Sequence, residues 1–306
     1  MACSYIRYEE VYTVIGIMSS IRKKEIYSMY FSQLLSSFIE YKDKSIFIFS
    51  ISDIDFLNKT VCGNLITKDG IEFKQIPIPA TIFNLTFYKN RSNIKKVRRL
   101  ALHADVRVVN EVNRFRQYMI MEMLTSNHQT QDLLLKYKTH MSRNIYKEDF
   151  YILSEMGNEI SNSDNLSYKK KLIAFDKQNM LLHNNYPVVF TIYAQRGFEG
   201  VWKTLPGLLA PEGIDEPSTA LIKKLKLAAI ESAKWISCFM PSLGFSTVKF
   251  ALCKDFRPYL ISLNGWDSKI LYENLGYEVF SNFAKNLFDY NSFLSKEQEG
   301  AIDFVD

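Results

Sequence analysis

The chain has 306 residues, 47% of them apolar and 23% charged; this excludes a disordered or fibrous protein and fits one large or two ordinary globular domains. Its net charge of +5, from 38 Lys+Arg against 33 Asp+Glu, is too weak to imply a nucleic-acid partner. No run approaches about 18 consecutive apolar residues, so no transmembrane helix is expected.

Cys3, Cys62, Cys238 and Cys253 are scattered. Without a C-x-x-C pair they argue against a zinc site or a disulfide framework, and a reducing, cytoplasmic setting is expected. The N-terminus shows no basic-then-apolar signal arrangement. The 22 Phe and 18 Tyr are expected in cores and interfaces. Only Gly157 lies between Gly70 and Gly197. A phosphate-cradling loop needs several glycines close together, so the middle of the chain cannot build one.

In chain order, 11–20 (VYTVIGIMSS) is a short apolar run ending in a Ser pair and predicts a buried strand. A helix should follow, with Ile26, Tyr30, Leu34, Leu35 and Phe38 at helical spacing. SIFIFSISDID is a second strand, and the β-α-β order predicts a parallel sheet with covering helices. Lys68-Asp69-Gly70 between two alternating runs marks a hairpin, and Pro77 and Pro79 mark an exit from the sheet.

Residues 90–100 carry Arg91, Lys95, Lys96, Arg98 and Arg99. The plain reading is a solvated helix face; the sharper one is a patch for an anionic partner. ADVRVVNEVNRFRQYMIMEML predicts a strand and then a helix, with Asn110 as N-cap and Val112, Phe115, Met119 and Met123 on one face as core filling. Residues 125–170 are polar and irregular apart from DLLLKY and DFYILSEM, and SNSDNLSYKKK (161–171) reads as a loop. PVVFTIYAQRGFEGVWKTLP predicts two strands joined at Arg196–Gly200. A long helix is expected from Ser218 to Phe239. A hairpin with its loop at Asp255–Pro258 should follow, and then a helix from Ser268.

The order of VIGIMSS, IFIFSISDIDFLNKTVCGNLI, IPIPATIFNLTF, VRVVNEVNRFRQYMIMEML and KFALCKDFRPYLISLNGWDSK resembles the YheC/YheD family of endospore coat-associated proteins, over most of the chain. The resemblance implies an α/β (α+β), ATP-grasp-like fold: an N-terminal α/β domain over 1–105, then an ATP-grasp-like domain over 106–306 in two lobes divided near 180. ATP-grasp enzymes join a carboxylate to an amine through an acyl phosphate. They use a glycine-rich loop and lysines for ATP, and acids plus an Asn for Mg²⁺.

Carried over position by position, that chemistry is depleted. In FYILSEMGNEISNS only Gly157 remains, and Leu153 stands where a lysine is implied. Against the family's F-D-I-R-V strand the chain has Pro187 and Val189 in place of Asp and Arg. In the last hairpin the implied acids are Lys249 and Ser262, and only Asn264 matches. A loop over 255–258 would set Lys254 opposite Tyr259, Lys249 opposite Asn264 and Ala251 opposite Ser262, with Lys249, Ser262 and Asn264 on one face. Mg²⁺ wants hard, usually anionic oxygens. A contact between unit charges at about 4 Å is worth on the order of 4 kcal/mol at an effective dielectric of about 20, so an ammonium in place of a carboxylate is enough to abolish ordinary Mg²⁺ binding. The Lys249 ammonium is expected to occupy the ion's place and bond Asn264 and Ser262.

Other constellations are weaker. His103, His128, His140 and His183 have no H-x-x-x-H spacing, and there is no G-x-S-x-G or catalytic-cysteine signature. Asp53 and Asp55 read as structural or solvated. Asp255 lies too far along the hairpin to replace a lost acid, whereas Asp267 could bend back after Gly265. The leading expectation is a non-catalytic ATP-grasp-like, spore-coat-associated protein that binds protein partners, possesses no cofactor and contacts neither nucleic acid nor membrane. The alternative is a divergent ATP-dependent carboxylate–amine ligase with an altered metal site, for which ATP and Mg²⁺ would be the cofactors. A third reading is an anionic-polymer binder using residues 91–99.

Overall fold

The computed structural model describes residues 13–19, 44–67, 69–141, 150–154, 171–206, 217–266 and 277–302. The expected helix after Ser20, the 161–170 loop, Gly157, Asp267 and the expected helix start at Ser268 lie outside them. The chain divides into two compact units, one of Met1–Asn84 with Lys89–Val109 and one of Leu85–Tyr88 with Asn110–Asp306.

In the first unit, the apolar run at 13–18 is β1 (Thr13–Met18), flanked in parallel by β2 (Lys44–Phe49) and, on its other edge, by β6 (Thr81–Asn84). A strand buried on both faces reads as a continuous apolar run rather than an alternation, and β2 is buried from Ser45 to Phe49. β7 (Arg107–Val109) pairs in parallel with β6, so this strand belongs to the first unit. The other flank is antiparallel: β3 (Ile54–Asp55), β4 (Thr60–Thr67) and β5 (Gly70–Pro77). The β4–β5 hairpin pairs Thr67 with Gly70, whose φ of +139° needs glycine. Gly63 is required by close approach, because a Cβ there would lie 2.5 Å from the Ile48 carbonyl oxygen and 2.7 Å from the Phe47 ring. Helix α1 (Arg91–Ala101), capped by the Asn90 side chain on the Ser92 N–H, buries Val97 and Leu100.

The second unit is built on two antiparallel sheets. The smaller has the order β8 (Tyr137–Met141), β10 (Lys171–Asp176), β9 (Phe150–Ser154). The larger has the order β14 (Trp202–Thr204), β13 (Val189–Arg196), β15 (Phe245–Leu252), β16 (Pro258–Asn264), and a small ribbon pairs β11 (Leu182–His183) with β12 (Tyr186–Pro187). Phe190, Ile192, Val248, Phe250, Leu260 and Leu263 point from the larger sheet into one core with Tyr151, Leu153, Ile173 and Phe175 of the smaller. Helices α2 (Gln117–Thr125) and α4 (Thr219–Phe239) close that core with Ile120, Met121 and Leu124, and with Leu225, Ala229, Ala233 and Ile236. Between α2 and α4 lies the single turn α3 (His128–Gln131). Each fully buried Leu, Ile or Phe contributes about 1.5–3 kcal/mol. α4 starts at its expected cap, where the Ser218 hydroxyl accepts the Leu221 N–H. The last helix, α5 (Tyr277–Ile302), buries Phe283, Leu287, Phe288, Tyr290 and Leu294.

The segment after β7 departs from expectation. Asn110 is not an N-cap: α2 begins at Gln117, with Arg116 at its cap. Asn110 is instead fully buried at φ +56°, a conformation that asparagine tolerates better than other side-chain-bearing residues. Val112 lies outside the helix and is exposed, as is Met119, so the core face of α2 is Gln117, Ile120, Met121 and Leu124. Of the four residues expected on the core face, Phe115 is buried in the core ahead of the helix and Met123 packs against it, whereas Val112 and Met119 face outward.

Candidate functional site

The β15–β16 hairpin forms, with a different register from the one expected. Thr247 pairs with Asn264 and Lys249 with Ser262; then the register slips, and Phe250 pairs with Leu260 and Ala251 with Tyr259. Lys249 therefore stands opposite Ser262 rather than Asn264, and Ala251 opposite Tyr259 rather than Ser262. Two causes act together. The turn sits earlier in the chain than 255–258: Leu252 pairs with Pro258, the Cys253 N–H donates to the Arg257 carbonyl, and Asp255 in the tip accepts the Arg257 N–H. Ile261 is then an extra residue, a β-bulge, with Leu260 and Ile261 both fully buried.

β13 completes the face. Thr191 pairs with Lys249, and Tyr193 with Thr247. Two rows therefore cross three strands, Thr191–Lys249–Ser262 and Tyr193–Thr247–Asn264. Neighbouring rows on one face stand about 7 Å apart. Thr191, Thr247, Lys249 and Asn264 are half-buried, whereas Ser262 is 2% exposed and Tyr193 4%. Burial pushes the Tyr193 phenol up to about 12. Its ring meets Trp266 edge-on at 5.7 Å, and Trp266 packs in turn, at tilted angles, against Phe245 and Phe283. Thr191, Tyr193 and Thr247 were not singled out from sequence, although they follow from extending the period of two from Lys249 and pairing the neighbouring strand.

Asn264 is held by the chain itself. Its side-chain oxygen accepts the Phe115 N–H at 2.9 Å and the Gln117 amide at 3.2 Å. Gln117 also bonds both backbone groups of Leu263: its amide donates to the carbonyl at 3.0 Å, and its oxygen accepts the N–H at 2.8 Å. Beyond β16, Gly265 donates its N–H to the Asn113 carbonyl, and the Asn113 amide donates to the carbonyls of Trp266 and Thr86. Asn110 joins this network. Its amide bonds the Asn113 side-chain oxygen and the Phe245 carbonyl, and its own side-chain oxygen accepts the N–H groups of Gly244 and Phe245. A Cβ at Gly265 would fall 1.7 Å from the Asn113 side-chain oxygen, so only glycine fits.

The donor set of the two rows does not fit Mg²⁺. An amide oxygen has two acceptor positions, and both of Asn264's are used within the chain. The remaining oxygens of the rows are neutral hydroxyls, and the charge among them is the Lys249 ammonium, whereas Mg²⁺ demands an octahedron of hard oxygens, usually with one or two carboxylates. Among the described residues no three His, Cys, Asp or Glu side chains lie close enough to share a metal.

The other sequence candidates have local roles. Asp53 accepts the Ser50 N–H in a capping box. Asp55 accepts from the Leu57 and Asn58 N–H groups and the Asn58 side chain, and these bonds, the Asn58 N–H foremost, hold its carboxyl below the usual range. Asp255 pairs with Arg257, whose side-chain bond lowers the Asp255 carboxyl. Leu153 is a core residue of β9, Pro187 is buried in β12 and Val189 opens β13. His103 lies 3.8 Å from Asp105.

A separate cleft of about 1030 Å³ opens at the hairpin's far end, lined by Lys136, Tyr137, Phe150, Asp176, Lys254 and Tyr259 among others. Lys249, Ser262 and Asn264 do not line it.

No protein-family model matches the sequence, and no curated protein does. Solved structures do match the fold. D-alanine–D-alanine ligase from Coxiella burnetii is similar at a TM-score of 0.50 and 9% identity, over 96% of this chain and 99% of that one. The ATP-grasp ligase PsnB, complexed with its minimal precursor, matches at 0.51 and 11% identity over 90% and 98%. N5-carboxyaminoimidazole ribonucleotide synthetase from Thermotoga maritima matches at 0.51 and 9% identity over 90% and 76%. The chain has the ATP-grasp fold. No described helix is long and apolar enough to cross a membrane.

Proposed function

We propose that this ATP-grasp-fold chain acts by binding a protein partner and that its C-terminal sheet does not carry Mg²⁺-dependent ligation. The observation that carries the reading is the commitment of the Asn264 oxygen to Phe115 and Gln117, one row away from Lys249 facing Ser262. A cation there would have to displace two internal hydrogen bonds and sit beside an ammonium. The partner that the YheC/YheD resemblance suggests is a spore-coat component. Calorimetric titration with Mg·ATP tests the reading: no Mg²⁺-dependent heat is expected. Micromolar binding that requires Mg²⁺ and is lost in Asn264→Ala or Asp267→Asn would overturn it.

The second reading is a divergent ATP-dependent carboxylate–amine ligase with an altered metal site. Two observations favour it: the solved structures of similar fold are ligases, and the cleft offers lysines and aromatic rings together. Nucleotide binding that is lost on changing Lys136 and Lys254, but not Lys249, would favour it over the first.

A further inference from the structure

The basic segment at 90–100 becomes a more specific feature once folded. α1 carries Arg91, Lys95, Lys96, Arg98 and Arg99 and no acidic residue. None of the five is in an ion pair among the described residues. Arg91, Lys95 and Arg98 are exposed at i, i+4 and i+7 and form one stripe. Leu102, the C-cap, has helical dihedrals (φ −84°, ψ −4°), so it continues the stripe at i+11, and it is 87% exposed. Arg99 flanks the stripe and is held over the Phe56 ring at 4.7 Å; the next residue, Leu57, is 88% exposed.

This arrangement works against the helix. Like charges at i, i+3 and i+4 repel, and Arg91 sits at the N-terminal end, where the helix dipole already disfavours a cation. Arg98 and Arg99 gain from the dipole in the last turn and Arg99 from the Phe56 ring, but Arg91 and Lys95 have no ion-pair partner among the described residues. An external anion would offset the repulsion, and the leucine at the end of the stripe would gain from being covered.

We propose that this stripe is the docking surface for an acidic protein segment, with carboxylates meeting Arg91, Lys95 and Arg98 and an apolar side chain covering Leu102. The stripe spans about 16 Å at about 1.5 Å per residue, the length of a short helix or a few extended residues. Two features favour protein over other polyanions. Its exposed residues include no aromatic ring on which a base could stack. Both leucines also have a carboxylate close by in the chain, Asp105 after Leu102 and Asp55 before Leu57; the first is 81% exposed and the second is held ionised by its hydrogen bonds. An anionic bilayer would meet those carboxylates where the leucines would have to insert. The proposal concerns the first unit and stands or falls separately from the reading of Lys249.

The test uses the full chain and a fluorescein-labelled helical peptide with glutamates one turn apart, ending in a leucine one turn further on. A scrambled peptide of the same composition, a single-stranded oligonucleotide and phosphatidylserine vesicles are the comparators. The ordered peptide should bind at least about tenfold more tightly than each comparator. Arg98→Glu and Leu102→Asp should each weaken it by about tenfold or more, with unchanged thermal melting. A glutamate-to-lysine change in the peptide should rescue Arg98→Glu and not Leu102→Asp. Equal binding of the scrambled peptide, tighter binding of the oligonucleotide or vesicles, or indifference to Leu102→Asp would each overturn the proposal.

Discussion

The side-chain oxygen of Asn264 accepts the backbone N–H of Phe115 at 2.9 Å, across 149 residues of sequence. A residue whose type suggests a metal ligand is thus a tie between the last strand of the large sheet and the entry to α2. The two roles make opposite statements about the metal-free protein. A ligand would be dispensable there, whereas a tie would not.

Asn264→Ala is therefore expected to destabilise the chain by about 1–3 kcal/mol, because a buried N–H loses its acceptor. Asn264→Asp keeps acceptor oxygens toward Phe115 and Gln117 and should lose less. Urea unfolding without nucleotide or metal measures both, and an unchanged midpoint for the alanine variant would remove the tie.

Gly265→Ala should cost about 2–4 kcal/mol. The added carbon would lie 1.7 Å from the Asn113 oxygen, and displacing Asn113 breaks its bonds to Trp266 and Thr86. Thermal melting beside Asn113→Ala would show the two changes to be strongly non-additive.

Phe256 at the hairpin tip is 61% exposed with φ +59°. A left-handed conformation costs a side-chain-bearing residue about 1–2 kcal/mol, and an exposed ring returns little. Phe256→Gly should leave stability unchanged or raise it by up to about 1 kcal/mol in chemical denaturation.

Tyr193 gives an alkaline signature. Burial pushes its phenol up to about 12, whereas an unfolded tyrosine ionises near 10. A group whose pKa is raised on folding contributes stability that is whole below the unfolded value and lost as pH rises toward the folded one. Between pH 10 and 12 the wild type should thus lose stability relative to Tyr193→Phe, by roughly 1.4 kcal/mol per pH unit at most. At neutral pH Tyr193→Phe should melt at the same temperature or higher, since the buried hydroxyl has no hydrogen-bond partner among the described residues. Denaturant midpoints at several pH values would show the divergence, and parallel curves would refute it.

Millimolar Mg²⁺ followed by EDTA should leave the melting temperature unchanged. Binding to the native state alone would raise it in proportion to the logarithm of the ion's concentration, and such a rise would place a metal in the chain.

Much of the scaffold was legible in the sequence. Continuous apolar runs marked β1 and β2, alternation around Asp69-Gly70 marked the β4–β5 hairpin, and Ser218 marked the start of α4. Asn110 was not legible, because asparagine suits both a helix cap and a left-handed turn, and only a partner 134 residues away decides between them. The two rows of the site were half legible. Their shared face followed from the period of two, but the pairing depended on a loop length and on one inserted residue. The trace of that insertion was visible as Leu260-Ile261, two adjacent apolar residues in a strand that otherwise alternates.

Ile261 acts as a parity switch. Were the full-length β16 paired without the bulge, Lys249 would meet Ile261, and Ser262 and Asn264 would turn with Val248 and Phe250 into the apolar core. One inserted residue thus decides which side of the sheet is wet. Deleting one residue in 259–262 would remove the bulge and leave Asn264 opposite Thr247, whereas inserting a second residue there would reverse the far end of the strand.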